Sequence, residues 1–183
     1  MFFKFYLWIR RYLLKLDDRS PLEIAISNGL IIGKNHSIQG GCIIDPSHCF
    51  LITIGDNVTL APRVHILAHD ASTKRHLGYT RIGKVYIGNN VFIGANSTIL
   101  PNVRIGDNVI IGAGSVVSRS IPANSVAAGN PARIISDISE YLNKHKNQMK
   151  THPCYDEAYI ITNITTEKKI KMQNELNTVG YIV

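Results

Sequence analysis

Histidine is the side chain best suited to moving a proton near neutral pH. The chain carries seven: His36, His48, His65, His69, His76, His145 and His152. His69 stands where a regular pattern gives way to the polar stretch ASTKRHLGYTR, and Asp45 and His48 stand in a second irregular stretch, DPSHCF at Asp45–Phe50. Both stretches flank the segment LAPRVHILAHD, so reactive groups are expected to gather there. Asp45 reads either as a group that binds hydroxyls or as a turn residue before Pro46. Asp70 either orients a reacting group or steadies its own loop. Cys42, Cys49 and Cys154 cannot all pair and form no CxxC, which points to reduced thiols and a cytoplasmic protein.

Positioning such groups requires a scaffold, and the scaffold is written in a repeat. From Ile87 the chain reads IGNNVF, IGANST, ILPNVR, IGDNVI, IGAGSV, VSRSIP, and earlier tracts give IGKNHS from Ile32, IGDNVT from Ile54 and LAPRVH from Leu60. A period of six at about 100° per residue would aim the opening aliphatic residues in three directions. At about 180° per residue they stay on one face, so the units are strands. The inward positions alternate in steps of four and two, as in Val91–Ile93, Ser97–Ile99 and Val103–Ile105, and the longer step must contain a bend. Position four is Asn57, Asn90, Asn96, Asn102, Asn108 and Gly114, residue types that tolerate positive φ, with Arg63 the exception. Short strands bent after each unit and stacked on themselves make a β-solenoid.

Composition narrows the partners. The 183 residues are 45% hydrophobic and 18% charged, which excludes a disordered chain, and no apolar run approaches the roughly 18 residues of a membrane span. The net charge of +7 divides into +3 for residues 1–19, +4 for 20–135 and 0 for 136–183. No basic block interleaved with aromatics, zinc finger or RNP pattern is present, so nucleic acid is not an expected partner.

The hexads, in frame across roughly residues 30–135 and followed by AAGNPARII at Ala127–Ile135, resemble the hexapeptide-repeat acyltransferases, in particular the galactoside and maltose acetyltransferase branch. The resemblance implies an all-β fold, a left-handed parallel β-helix of three hexads per turn, which is an exception to the usual crossover hand. It also implies a homotrimer with active sites between subunits, and acetyl-CoA as acyl donor. In that family a histidine shortly after an Ala-Pro hexad is the general base; Ala61-Pro62 places His69 there, with Asp70 where relatives often have Pro. Asp45, His48 and Asp70 are the expected acceptor-binding residues. By the same resemblance Phe92, Ala95 and Ala113 match positions along the pantetheine arm, and Arg119 and Arg133 match positions that meet the nucleotide phosphates. A further family Arg corresponds to Ser136, so the expectation is that phosphate recognition is either weaker or redistributed to Lys84 or Arg104.

The implied activity is transfer of an acetyl group to a hydroxyl of a sugar or surface-glycan precursor, in the manner of polysaccharide-biosynthesis members. Three alternatives remain open: acetylation of an amino-sugar nitrogen or of an antibiotic, a zinc enzyme like the gamma-class carbonic anhydrases, and a non-catalytic scaffold. The zinc reading draws on His65 and His69, four apart where that family has five, with His36, His48 or His76 as the third ligand; no metal is expected.

Three regions are expected: residues 1–19 as an amphipathic helix, 20–135 as the catalytic β-helix with a loop at 70–82, and 136–183 as a helical tail. MFFKFYLWIRRYLLKL, residues 1–16, reads either as a basic helix lying on a membrane surface or as one packing over the first coil or a neighbouring subunit. Basic residues interrupt its apolar stretch, unlike a signal peptide. In the tail, helices are expected over Asp137–Lys150 and Thr166–Leu176, with no chemistry assigned.

Overall fold

The computed structural model describes residues 19–183; apart from Arg19, the helix expected over residues 1–19 lies outside them. Among the described residues, no helix is long and apolar enough to cross a membrane. The chain divides after Ile135 into two compact units.

The first helix among the described residues of the first unit, which the hexad reading did not anticipate, is α1 (Pro21–Ser27). Its signal is local: Ser20 Oγ accepts from Glu23 N, Glu23 Oε2 accepts from Ser20 N, and Pro21 occupies the first turn. This reciprocal cap and the preset proline φ start a helix in very few residues.

The hexads then coil through three sheets in which the hexad strands pair in parallel. The first stacks β1 (Ile31–Ile32), β4 (Ile52–Ile54), β9 (Val85–Ile87) and β12 (Arg104–Ile105). The second stacks β2 (Ser37–Ile38), β5 (Thr59–Leu60), β10 (Phe92–Ile93), β13 (Ile110–Ile111), β15 (Ser125–Gly129) and β16 (Ala132–Asp137). The third stacks β3 (Ile43–Ile44), β6 (His65–Ile66), β11 (Thr98–Ile99) and β14 (Val116–Val117). Register keeps like over like: Ile54, Ile87 and Ile105 form one column, Leu60, Ile93 and Ile111 a second, and Ile66, Ile99 and Val117 a third. These columns are the core, and burying each aliphatic side chain contributes roughly 1.5–3 kcal/mol relative to exposure.

Two features let the coils stack this tightly. Position four takes positive φ throughout, from 54° at Asn90 to 69° at Gly114. Asparagines at one corner also bond to each other from coil to coil, Asn57 Nδ2 donating to Asn90 Oδ1 at 2.9 Å and Asn90 Nδ2 to Asn108 Oδ1 at 3.1 Å. The glycine after the opening aliphatic residue has a different cause, close approach: a Cβ on Gly94 would lie 2.5 Å from the Ala113 backbone nitrogen.

The frame is broken twice, at the same corner. Between β3 and β4 the chain inserts a 3₁₀ turn, Cys49–Leu51. Between β6 and β9 it inserts β7 (His69–Asp70), α2 (Lys74–Leu77) and β8 (Arg81–Ile82), with β7 and β8 paired antiparallel. Both insertions leave the third sheet and return to the first. Cys49, buried with its Sγ 3.5 Å from the Ala25 carbonyl oxygen, ties the shorter insertion to α1.

The second unit, Ser136–Val183, has no hexads. It contains α3 (Ile138–Gln148), α4 (Thr166–Glu175) and a parallel pair of short strands, β17 (Cys154–Tyr155) and β18 (Tyr181–Ile182). Tyr155, buried, donates from its hydroxyl to Glu175 Oε2 at 3.2 Å.

Arg63 holds φ 61° in a slot otherwise filled by Asn or Gly, because the bend is imposed by the stacking and not by the residue. Arg63→Asn is therefore expected to raise the unfolding free energy by about 1 kcal/mol, read as a higher urea midpoint with an unchanged slope. A lower midpoint would mean that contacts of the arginine side chain outweigh the strain.

Candidate active site

Because the two insertions occupy the same corner on successive coils, they meet. Asp45 N donates to Ile66 O at 2.8 Å, carrying the ladder one residue past β3 and setting Asp45 beside the start of the longer insertion. Its side chain then turns inward to 0% exposure. Oδ1 accepts from Ser47 N at 3.0 Å and His48 N at 3.1 Å, making the turn before and after Pro46. Oδ2 accepts from Ala68 N at 2.9 Å and from His69 Nδ1. Asp45 is thus a turn residue and the partner of His69 at once.

This placement differs from the expectation that Asp45 meets acceptor hydroxyls, since both its oxygens are engaged below the surface. Burial pushes the Asp45 carboxyl up, but the hydrogen bonds from His69, Ala68, Ser47 and His48 together outweigh it and hold the group below its ordinary value. The carboxylate is therefore ionised near neutral pH and fixes the His69 proton on Nδ1. His69 Nε2 is left as the acceptor, on a side chain about one third exposed.

His48 stacks beside this pair, its ring centroid 5.0 Å from that of His69. Its Nδ1 is buried without a hydrogen-bond partner and lies 3.9 Å from Asp45 Oδ1. On its other side is Phe50, centroid to centroid 5.9 Å. Asp70, the third expected acceptor residue, is instead committed to the loop: Oδ2 pairs with Arg81 Nη2 at 3.2 Å and Oδ1 accepts from Ser72 N at 2.9 Å. On a strand, successive side chains point to opposite faces, so His69 and Asp70 diverge.

One atom from each of Asp45, His48 and His69 falls within 4.8 Å of the others, a set that could hold a metal ion. It does so only at the cost of the proton His69 shares with Asp45. His65 does not join them; it faces outward on β6, in register with Ile43 and Thr98. His36 Nδ1 lies 2.9 Å from Gly33 O, and His76 lies in α2.

The residues expected to hold an acyl donor lie elsewhere. Phe92 projects from β10 between Thr59 and Ile110. Ala95 and Ala113 stack on successive coils at the following corner, where Gly114 N donates to Ala95 O at 2.8 Å. Exposed Arg119 follows β14, and Arg133, also exposed, lies on β16 with Nη1 3.0 Å from the Ala132 carbonyl oxygen. The Phe92–Ala95–Ala113 strip sits at the corner between the second and third sheets, whereas His69 sits between the third and the first.

The family model described as bacterial transferase hexapeptide (six repeats) matches residues 84–119. Over those residues the chain carries the repeat of the hexapeptide-repeat transferases. The galactoside O-acetyltransferase of Escherichia coli (strain K12) is 38% identical over 125 residues, 66% of this chain and 60% of that protein. A maltose O-acetyltransferase structure from Clostridium difficile 630 superposes with a TM-score of 0.52 and 41% identity, over 60% of this chain and 59% of the other. A hexapeptide-repeat acetyltransferase from Vibrio cholerae O1 biovar eltor, complexed with acetyl-CoA, superposes with a TM-score of 0.53 and 27% identity, over 60% of this chain and 61% of that one. The chain spans about three fifths of the length of the first curated relatives it matches.

Within this hexapeptide-repeat chain, the link that sequence reasoning missed is the bond between Asp45 and His69. Counting strands between the two insertions would have found it, since both follow the third strand of a coil.

Because its folded carboxyl is depressed, Asp45 contributes stability above the ordinary value of 3.8, and that contribution is lost as pH falls through the lower folded value. Asp45→Asn is expected to unfold at lower urea than the parent at pH 7, with the gap closing below pH 3.8. A gap independent of pH would show that the ionised carboxylate is not the stabilising form.

Proposed function

We propose that the chain is an acetyl-CoA-dependent O-acetyltransferase acting on a hydroxyl of a sugar or surface-glycan precursor, with His69 as general base. The bond between Asp45 and His69 Nδ1 carries this reading, because it engages one ring nitrogen and leaves Nε2 as the one turned to an accessible position. The shared repeat supports it: the two relatives named galactoside and maltose O-acetyltransferase act on sugars by name, and the third was solved with acetyl-CoA.

The steps follow from the geometry. Nε2 takes the acceptor hydroxyl proton as the oxygen attacks the thioester carbonyl carbon, and the ionised Asp45 stabilises the imidazolium that forms. A backbone N–H stabilises the tetrahedral oxyanion. Collapse breaks the carbon–sulfur bond, the electron pair leaves with sulfur, and His69 returns the proton to give CoA thiol and the O-acetyl ester. His48, at 5.0 Å from His69, is the residue placed to meet the acceptor.

The donor strip of Phe92, Ala95 and Ala113 and the His69 corner lie on either side of the third sheet, so a second copy completes the site. On the family resemblance we assign a left-handed coil and a homotrimer, with Arg119 and Arg133 meeting the CoA phosphates, and on the unpaired cysteines a cytoplasmic protein. Charge-assisted bonds suit those phosphates to arginine.

Thiol release from acetyl-CoA, measured across a panel of free sugars, amino sugars and nucleotide sugars, tests the reading. His69→Ala is expected to lower turnover by about 10²–10⁴-fold with CoA affinity kept. Full turnover by His69→Ala would remove the general base, and transfer confined to amines would replace the hydroxyl acceptor.

A further inference from the structure

The first sheet carries a cleft on its outer face to which the acyl-transfer steps proposed above assign no residue. Phe50 stands at one end, 56% exposed and packed on His48. From there the cleft, about 550 Å³, runs past Thr53 and Lys84 to Tyr86, Arg104 and Ser120. A second hollow shares Tyr86, Arg104 and Ser120 and continues it toward Pro122. The floor therefore starts at the catalytic corner and crosses successive coils.

Its chemistry is specific. The Arg104 guanidinium lies 4.0 Å from the centre of the Tyr86 ring, a cation–π contact on the floor of the cleft. Among the described residues, neither Lys84 nor Arg104 has a carboxylate within ion-pair distance. The acidic group at the far end, Asp107, has Oδ1 engaged by Asn89 N at 2.7 Å. The cleft thus offers an aromatic ring, hydroxyls and two cations without internal counter-ions.

The geometry points to an extension of the acceptor site that binds an anionic saccharide. A pyranose ring would pack on Phe50 beside His48 while carboxylate or phosphate groups farther along the acceptor meet Lys84 and Arg104. The inference rests on the acyl-transfer reading for its connection to His69, and it narrows the acceptor class from sugars in general to extended acidic ones.

Calorimetry with hexagalacturonate, and with maltohexaose as the uncharged control of equal length, tests it. Hexagalacturonate is expected to bind at least about tenfold more tightly than maltohexaose, with affinity falling as salt rises. Lys84→Gln/Arg104→Gln is expected to remove that preference, and Arg104→Lys to retain part of it, since charge remains but the guanidinium is lost. Uridine diphosphate as competitor separates the two sources of the anion: displacement at lower concentration than hexagalacturonate itself requires assigns a phosphate-bearing acceptor, and weak displacement assigns carboxylates. Equal binding of the two hexasaccharides, or no effect of the double variant, would overturn the proposal. So would a parallel loss of CoA affinity in the double variant, because the cleft would then serve the donor. His69→Ala is expected to keep hexagalacturonate binding, so absence of thiol release with every acceptor would strike the acyl-transfer reading and leave the cleft standing.

Discussion

Backbone hydrogen bonds between coils hold each residue opposite the residue one turn away, and the solenoid accepts extra chain only where that register survives. In the regular part a residue meets its equivalent three hexads on, as Ile87 meets Ile105. An insertion inside a strand would shift every later side chain between core and solvent. At a corner it costs only the closure of a loop, which grows slowly with length. Both insertions of this chain are at one corner, so two segments with no shared pattern are forced into contact. The cluster of Asp45, His48 and His69 is a consequence of where the scaffold can tolerate irregularity.

The same constraint explains how a buried carboxylate is tolerated there. An unpaired Asp inside the coil would carry a large desolvation cost. Asp45 accepts from three backbone N–H groups and one imidazole, which together more than offset burial. Two of those donors, Ser47 and His48, belong to its own turn, and the other two, Ala68 and His69, belong to the neighbouring insertion. One side chain therefore closes the shorter loop, fastens the longer one and sets the tautomer of the histidine between them. Removing the charge acts on all three together.

Sequence reading reached what repeats and stopped where repetition stops. The period of six, the inward residues and the bend at position four are all visible because each is sampled many times; even Arg63, the wrong type for its slot, takes φ 61°. His69 was legible from its place at the edge of an insertion. Its partnership with Asp45 was not, because it depends on the phase of two insertions and not on the distance between them along the chain. Asp70 reads from its place either as orienting a reacting group or as steadying its own loop, and its pairing with Arg81 and Ser72 is of the second kind. The capping box at Ser20–Glu23 was present in the letters but sat beside a repeat that drew the reading away from it. In the second unit, β17 and β18 pair two residues each from distant parts of the segment, a contact with no local signature.

The corners also explain why the proposed donor and acceptor residues look scattered on a single chain. Small residues that let a pantetheine arm approach closely must follow each other up the coil axis, and Ala95 and Ala113 do so at a corner that has no insertion. A base that must be held by a buried carboxylate needs an insertion, and so belongs to the other corner. One prism cannot put both requirements on one edge, because the close stacking that suits the first excludes the extra chain that builds the second. A second prism set alongside, edge to edge, meets both without altering either. Under the proposed function, assembly is the step that brings the thioester to His69, while the outer face of the first sheet, beginning at Phe50, is left for the part of the acceptor that does not react.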